Sequence, residues 1–394
     1  MCSQKYYGVS VDNATMLCYN CYKHKSEFIR SILMKKAIKM TGRILLILLI
    51  LLLLFTLVTF IIHRVKTNQE ISLLKEKGYY NPVSVGDYCL NAAKFGNKTG
   101  RHTIVSLSGI ASGEFSVTER KMTAALEQDN LVVFIDRAGY GLSDDTEQDM
   151  TIEHIIEDYR NALRNDGIAA PYLLMAHSLG GAYATYWESK YPDEIEAVVL
   201  LDGAQLSEDA PNGQLMHPVG IFDRVWAFLS KLGFGRYVSS LFYHLPDSYS
   251  EEDQRLCDAL MLRTEGSVAL ASESALNAYN LQVAFHEIVT NDIPKLYICS
   301  GSGFQTKEEF RTFLEWNSQV FGDNYLGIDR NADDERIQEE LDREAHLNET
   351  VLYPYTEKMG NCEVVFLGGA HLIYIQKPDE CGEVLKSFID GLDS

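Results

Sequence analysis

The sequence predicts an α/β chain: a mostly parallel central sheet with helices on both faces, an inserted helical cap, and one N-terminal transmembrane helix. Three observations predict it. Short aliphatic or β-branched runs bounded by Gly, Pro or Asp recur after residue 80, and a strand buried on both faces reads as such a run. Stretches of helical length lie between them, so strand and helix alternate, an order that calls for parallel pairing with right-handed crossovers. Ahead of both, Ile44–Ile62 is a 19-residue run without a charge, whose length at about 1.5 Å per residue matches the hydrocarbon of a bilayer.

The run ILLILLILLLLFTLVTFII sets only Thr56 and Thr59 against its aliphatics, and its insertion is favourable by about 5–10 kcal/mol on transfer scales. A core helix would interrupt the pattern at turn spacing. A cleaved signal peptide would start nearer the N-terminus and end at a small-residue site, whereas HRVKTNQ follows here. The run therefore reads as an uncleaved anchor. Its N-terminal flank holds Arg30, Lys35, Lys36, Lys39 and Arg43, and the other flank Arg64, Lys66, Lys75 and Lys77. Five positive charges against four place the N-terminus in the cytoplasm and the main domain outside. The expected organisation is a basic juxtamembrane segment at 1–43, the span at 44–62, a linker at 63–78, and a main domain at 79–394 with a cap at about 203–292.

Charge separates the two parts of the chain. The net charge is −20, yet the first 66 residues hold 10 Lys and Arg against 2 Asp and Glu, which leaves the remainder near −28. So acidic a body repels phosphate backbones, and nucleic acid is excluded as its partner. The basic run Lys23–Arg43 is a collar for lipid headgroups. Cys18 and Cys21 form a lone CxxC near His24, too few ligands for zinc, and read as juxtamembrane thiols. In the main domain Cys89, Cys257, Cys299, Cys362 and Cys381 form an odd set with no disulfide framework. No feature specifies an oligomeric state.

In chain order, Val83–Val85 and Tyr88–Ala93 flank a Gly86-Asp87 turn and predict an antiparallel hairpin at the sheet edge. Strands are expected at Thr103–Leu107, Leu131–Asp136, Tyr172–Ala176, Ala197–Asp202, Lys295–Cys299 and Glu363–Leu367. Helices are expected at Thr151–Asp166 and at Leu179–Tyr191, the latter stopped by Pro192. Gly203–Asp292 is too long for a crossover and reads as the cap, with helices over Gly220–Leu232 and Ser267–Ile288. Its Phe222, Trp226, Phe228 and Phe242 are expected to wall the site. Between Gly303 and Leu347, NADDERIQEELDREAH reads as a solvated helix or loop.

The chemistry concentrates at strand ends. Met175-Ala176-His177-Ser178-Leu179-Gly180-Gly181 follows the apolar strand PYLLMA and opens a helix, the context of a nucleophile elbow. In so tight a turn the residues two before and two after the serine must be small, and Ala176 and Gly180 are. Such a corner holds the hydroxyl clear of the sheet and aims the helix N-terminal amides at a developing oxyanion. The competing reading of Ser178 is a helix-capping serine.

With VSLSGIASG, FIDRAGYGLSD, AHSLGG, AVVLLDGA and FLGGAHLIYIQKP in this order, the chain resembles the α/β-hydrolase superfamily, in its serine-nucleophile, esterase- and lipase-like branch. The resemblance runs from about Tyr79 to Asp390 and departs from the pattern where Ala176 replaces the usual first glycine of the elbow. The usual His-Gly of the oxyanion loop is Ser108-Gly109 here, which implies the backbone amides of Ile110 and Leu179 as donors. FIDRAGYGLSD is expected to be architectural, its Gly139 and Gly141 turning the chain and Asp136 and Arg137 making local polar links.

His371 is the expected base. A serine hydroxyl needs an imidazole to accept its proton and return it to the leaving group, and His371 follows CEVVFL and GGA, where the resemblance puts that residue. His177 is expected to point away from Ser178. The acid has two candidates, because SGSGFQTKEEF offers no carboxylate at its first positions. Asp202 stands at the end of the strand after the nucleophile helix, and Glu308 lies farther along the loop. Strand-end rigidity favours Asp202, since the acid fixes the histidine tautomer and stabilises its cation.

The expected activity is hydrolysis of an ester-like, lipid-like acyl substrate through an acyl-enzyme, with no metal or organic cofactor. A serine at the elbow argues against the haloalkane-dehalogenase and epoxide-hydrolase branches, which carry an aspartate there. Two alternatives remain: a catalytically silent receptor using the same cleft, and an acyltransferase using the same Ser-His pair.

Overall fold

Among the described residues, eight strands form one sheet in the order β1-β2-β4-β3-β5-β6-β7-β8. They are β1 (Pro82–Ser84), β2 (Cys89–Gly96), β3 (Thr103–Leu107), β4 (Leu131–Ile135), β5 (Tyr172–His177), β6 (Ile195–Leu201), β7 (Lys295–Cys299) and β8 (Cys362–Phe366). Neighbours from β4 through β8 pair in parallel, while β1 and β2 form the expected antiparallel hairpin and β2 runs antiparallel to β4. The computed structural model describes residues 11–208, 219–238, 243–301, 303–322 and 328–393, with side chains from Tyr22 onward. The thiols of Cys18 and Cys21, and Phe242, lie outside what it describes.

The helices are α1 (Val11–Glu76), α2 (Phe115–Thr118), α3 (Arg120–Thr123), α4 (Ile152–Asn165), α5 (Leu179–Lys190), α6 (Ile221–Lys231), α7 (Glu251–Glu265), α8 (Val268–His286), α9 (Lys307–Phe321), α10 (Asp334–Leu347), α11 (Tyr353–Met359), α12 (Ile373–Gln376) and α13 (Pro378–Leu392). Strand side chains alternate between two cores, as the period of two requires. Val105, Val133, Leu174 and Leu200 meet α4, α5 and α8 on one face, and Ile104, Val132, Leu173 and Val199 meet α2, α7, α12 and α13 on the other. Both faces are covered, so β3 to β7 are predominantly apolar rather than alternating. β8 departs from that expectation: as the terminal strand it is only partly buried.

Contacts divide the chain into two units, Met1–Ile61 and Ile62–Ser394. In the first, α1 carries the apolar run, its side chains from Ile44 to Leu54 exposed. It is long and apolar enough to cross a membrane, and only 6% of its most apolar window is buried, so it is not packed as a core helix. In the second, residues 63–76 are helical and packed, not a free linker. Ile71 and Leu74, three residues apart on one helix face, join the core together with Leu73, Leu74 fully buried.

The 203–292 excursion also divides. α8 packs on α5 and α4, with Ala269 and Ala284 in the core. α6 keeps only Ala227 and Ser230 buried. The charged segment is the helix α10, anchored by a fully buried Ile337.

Candidate active site

Between β5 and α5 stands one residue, Ser178, at φ 51° and ψ −124°. A side chain at that backbone geometry costs about 1–3 kcal/mol and persists only where its surroundings impose it. The imposition is visible two residues on: a Cβ on Gly180 would lie 2.5 Å from the Leu107 carbonyl oxygen and 2.7 Å from that of Ser108. Because Gly180 has none, α5 starts hard against the loop after β3. Ser178 does not cap its helix with its side chain. Its Oγ lies instead 2.9 Å from His371 Nε2.

His371 arrives on the loop after β8, which is tied back by bonds from Leu367 N to Cys299 O, Gly369 N to Ser300 O, and Ala370 N to Gln376 Oε1. Its Nδ1 is 2.6 Å from Asp202 Oδ2. An ionised carboxylate only accepts, so Nδ1 carries the proton and Nε2 is left to accept from the serine hydroxyl. Asp202 follows β6 at φ 44° and takes a second bond, 2.9 Å, from the Ser300 amide. Burial alone would raise its carboxyl, but the bond from His371, the imidazole charge and Ser300 hold it below the ordinary aspartate value. Glu308 lies in the exposed first turn of α9 and forms no bond to His371. Of the two candidate acids, the fold brings Asp202 to the imidazole and leaves Glu308 away from it.

Among the described residues, neither the Ile110 nor the Leu179 amide has a hydrogen-bond partner. Leu179 N is an orphan donor because it opens α5. Ile110 N is aimed by a residue expected to be merely architectural. Arg137 Nη1 donates to Ser108 O at 2.7 Å and Nη2 to Gly109 O at 2.6 Å. The Gly109 carbonyl and the Ile110 N–H share one trans peptide and point oppositely, so holding the first sets the direction of the second. Behind it, Arg137 Nε lies 3.0 Å from Glu273 Oε1, both side chains fully buried. Glu273 also accepts from the hydroxyls of Tyr140 and Tyr183, and Tyr140 OH in turn accepts from Ala111 N at 3.0 Å. The legible sign was a charged pair, Asp136-Arg137, directly after an all-apolar strand, where a charge survives only if paired.

His177 does not point away from the site. Its ring centroid is 4.7 Å from that of His371, and its Nε2 is 2.9 Å from the His371 carbonyl oxygen. A carbonyl accepts, so Nε2 bears the proton and the ring is neutral. Burial, then the charge of His371, push its pKa down to about 3. This contact needs Gly109, where a Cβ would sit 2.9 Å from His177 Nδ1.

A cavity of about 250 Å³ opens beside Ser178 and His371, walled by Ile110, Tyr243, Met261, Phe321 and Leu372. Phe222, Trp226 and Phe228 do not line it. Phe222 and Phe228 face outward on α6, 84% and 61% exposed, and Trp226 is turned to the Glu265 carbonyl, while the residues that the helix buries are Ala227 and Ser230. One wall is polar: Glu114 is buried, accepts from Tyr243 OH at 2.8 Å, and is pushed by burial up to about 7.

Known proteins share this arrangement of strands and helices. The haloalkane dehalogenase DatA from Agrobacterium tumefaciens C58 superposes with a TM-score of 0.51 at 16% identity, over 79% of this chain and 96% of that one. The epoxide hydrolase CorEH does so with a TM-score of 0.51 at 15% identity, over 79% and 99%. At such identities the likeness is one of fold. In sequence, 189 residues are 32% identical to the uncharacterized protein YbdG of Bacillus subtilis (strain 168), 47% of this chain and 55% of that one. The chain spans about half or less of the length of the curated relatives it matches. A model of the alpha/beta hydrolase fold matches residues 104–308, from β3 through the elbow to β7 and the start of α9. With just over half of its residues inside that match and its sheet, elbow and crossovers in the corresponding order, this chain belongs to the α/β-hydrolase fold family.

Proposed function

We propose that the chain is a membrane-anchored serine hydrolase that cleaves an ester-like, lipid-derived acyl substrate. The observation that carries this reading is the continuous relay from Ser178 Oγ to His371 Nε2, at 2.9 Å, and from His371 Nδ1 to Asp202 Oδ2, at 2.6 Å. In the proposed reaction Ser178 attacks the acyl carbonyl as its proton passes to His371 Nε2, and Asp202 stabilises the resulting imidazolium. The Ile110 and Leu179 amides receive the oxyanion. Collapse expels the alcohol, which takes the proton from His371. Water then repeats the sequence on the acyl-enzyme and releases the acid. Besides the substrate and water, the steps draw on Ser178, His371, Asp202 and the two amides.

The anchor is residues 44–62, with the basic segment 1–43 on the cytoplasmic side, the hydrolase domain from residue 79 onward outside, and the segment around 203–292 as its cap. Apolar cavity walls at Tyr243, Met261, Phe321 and Leu372 suit an acyl chain.

A fluorophosphonate probe on the detergent-solubilised full chain tests the reading. Wild type is expected to become covalently labelled and Ser178→Ala is not. Unlabelled, folded wild type would favour a ligand receptor, and product analysis with competing alcohols separates hydrolysis from acyl transfer.

A further inference from the structure

α6 presents a stripe of large apolar side chains to solvent. Ile221, Phe222, Val225 and Phe228 are 69%, 84%, 46% and 61% exposed, with Trp226 beside them at 36%. Residues 221, 225 and 228 follow one another at the i, i+4, i+7 spacing of a single helix face. Contiguous exposed apolar surface of this kind marks a contact site.

The rest of α6 shows where that face is held. Its polar side is fastened to the body, Arg224 to Glu147 and Lys231 to Asp145, the latter at 3.4 Å. Trp226 Nε1 donates to Glu265 O at 3.1 Å. Five residues beyond α6, Arg236 grips α1: Nε to His63 Nδ1 at 3.1 Å, Nη1 to Glu70 Oε1 at 2.8 Å, and Nη2 to Thr67 Oγ1 at 2.9 Å and to Glu70 Oε2 at 2.7 Å. His63 is the first residue after the apolar run, and Glu70 is eight residues beyond Ile62. At 1.5 Å per residue the α1 residues of the clamp lie within about 12 Å of Ile62 along the helix.

We propose that the apolar face of α6 lies in the surface of the same bilayer that residues 44–62 cross, making α6 a second, in-plane membrane contact of the hydrolase domain. The proposal rests on reading 44–62 as the span and is independent of the reaction. An interfacial helix buries its apolar face about 5–10 Å into the headgroup and acyl boundary. Aromatics suit that depth, where one edge of the ring is wet and the other dry. The clamp ties the chain just after α6 to the first turns beyond Ile62, and the ion pairs of Arg224 and Lys231 leave the apolar side of α6 uncovered.

Photocrosslinking tests this on the full chain in vesicles of radiolabelled phosphatidylcholine, with p-benzoylphenylalanine replacing Phe222, Phe228, Leu53 or Glu335 in turn. Leu53 lies inside the apolar run, and Glu335 is exposed on α10. Lipid capture at 222 and 228 is expected about tenfold above that at 335, as for an interfacial helix, with capture at 53 as the sign of the inserted span. Capture at 53 with 222 and 228 at the level of 335 overturns the docking and leaves the anchor standing. No capture at 53 overturns the span reading and this proposal with it.

Discussion

Arg137 and Gly109 are joined by a 2.6 Å hydrogen bond from Nη2 to the carbonyl oxygen, in the peptide whose N–H is that of Ile110. A fully buried cation, neutralised by Glu273 at 3.0 Å, thus serves as the strut of the loop after β3. The desolvation cost of such a pair is large, and the pair fixes the direction of an amide that no group among the described residues engages.

Replacing Arg137 by Met is expected to lower kcat roughly 10²–10³-fold, the usual loss for one oxyanion donor. KM should change little, since that donor acts on the transition state. The single variant also strands Glu273 and should lose about 3–5 kcal/mol of stability in thermal denaturation. Arg137→Met with Glu273→Gln removes the stranded charge. If that double variant regains full kcat, Arg137 is a structural residue only.

The two candidate acids separate kinetically. Asp202→Asn keeps the shape but presents the wrong hydrogen-bonding partner to Nδ1, and kcat is expected to fall about 10⁴-fold. Glu308→Gln changes an exposed side chain on the first turn of α9 and should leave ester turnover as it was. Steady-state rates on a short soluble ester decide between them, and a collapse in the Glu308 variant would remove Asp202 from its role.

A third outcome concerns pH. Glu119 is fully buried against Ser106, and burial pushes its pKa from 4.5 up to about 8. A carboxyl whose folded value exceeds its unfolded value binds more protons when folded, so its contribution is complete below about pH 4.5 and declines as pH rises toward 8. Glu119→Gln stays neutral throughout. The Tm difference between this variant and wild type should therefore shift in the variant's favour from pH 5 to pH 9. Parallel Tm curves would show that Glu119 does not titrate in this range.

Much of the fold was legible, for reasons that locate what was not. Five of the six parallel strands, β3 to β7, were readable because each is buried on two faces, leaving runs such as LVVFI and AVVLL, and β8 because its CEVVF is aliphatic although partly exposed; all six end within two residues of the observed limits. Ser178 was readable because a one-residue corner demands small neighbours, and His371 because a glycine pair follows the last strand. Asp202 stayed open because its selection depends on a positive φ and on Ser300 from the adjacent strand, neither visible along the chain. The aromatics of α6 were assigned to the wrong side: periodicity reveals that a helix has an apolar face, but not what covers it. Residues 63–78 looked like a linker because the apolar triplet Ile71, Leu73 and Leu74 is short, and its value lies wholly in the core it meets.

Gly180 permits a last prediction, one that separates shape from chemistry. A methyl group at this position would stand 2.5 Å from the Leu107 carbonyl oxygen and 2.7 Å from that of Ser108. Both contacts are to backbone, so neither can swing aside, and the loop after β3 must move as a unit. That loop carries Ile110 and abuts Ser178 through Gly109. Gly180→Ala removes no functional group, yet overpacking is expected to cost about 1–3 kcal/mol, and a 1 Å misplacement of the donors about 10²-fold in kcat. Circular dichroism with fluorophosphonate labelling rates reads both. A variant that melts early but labels at the wild-type rate would mean that the loop yields without displacing Ile110, and that the close packing of α5 serves stability alone.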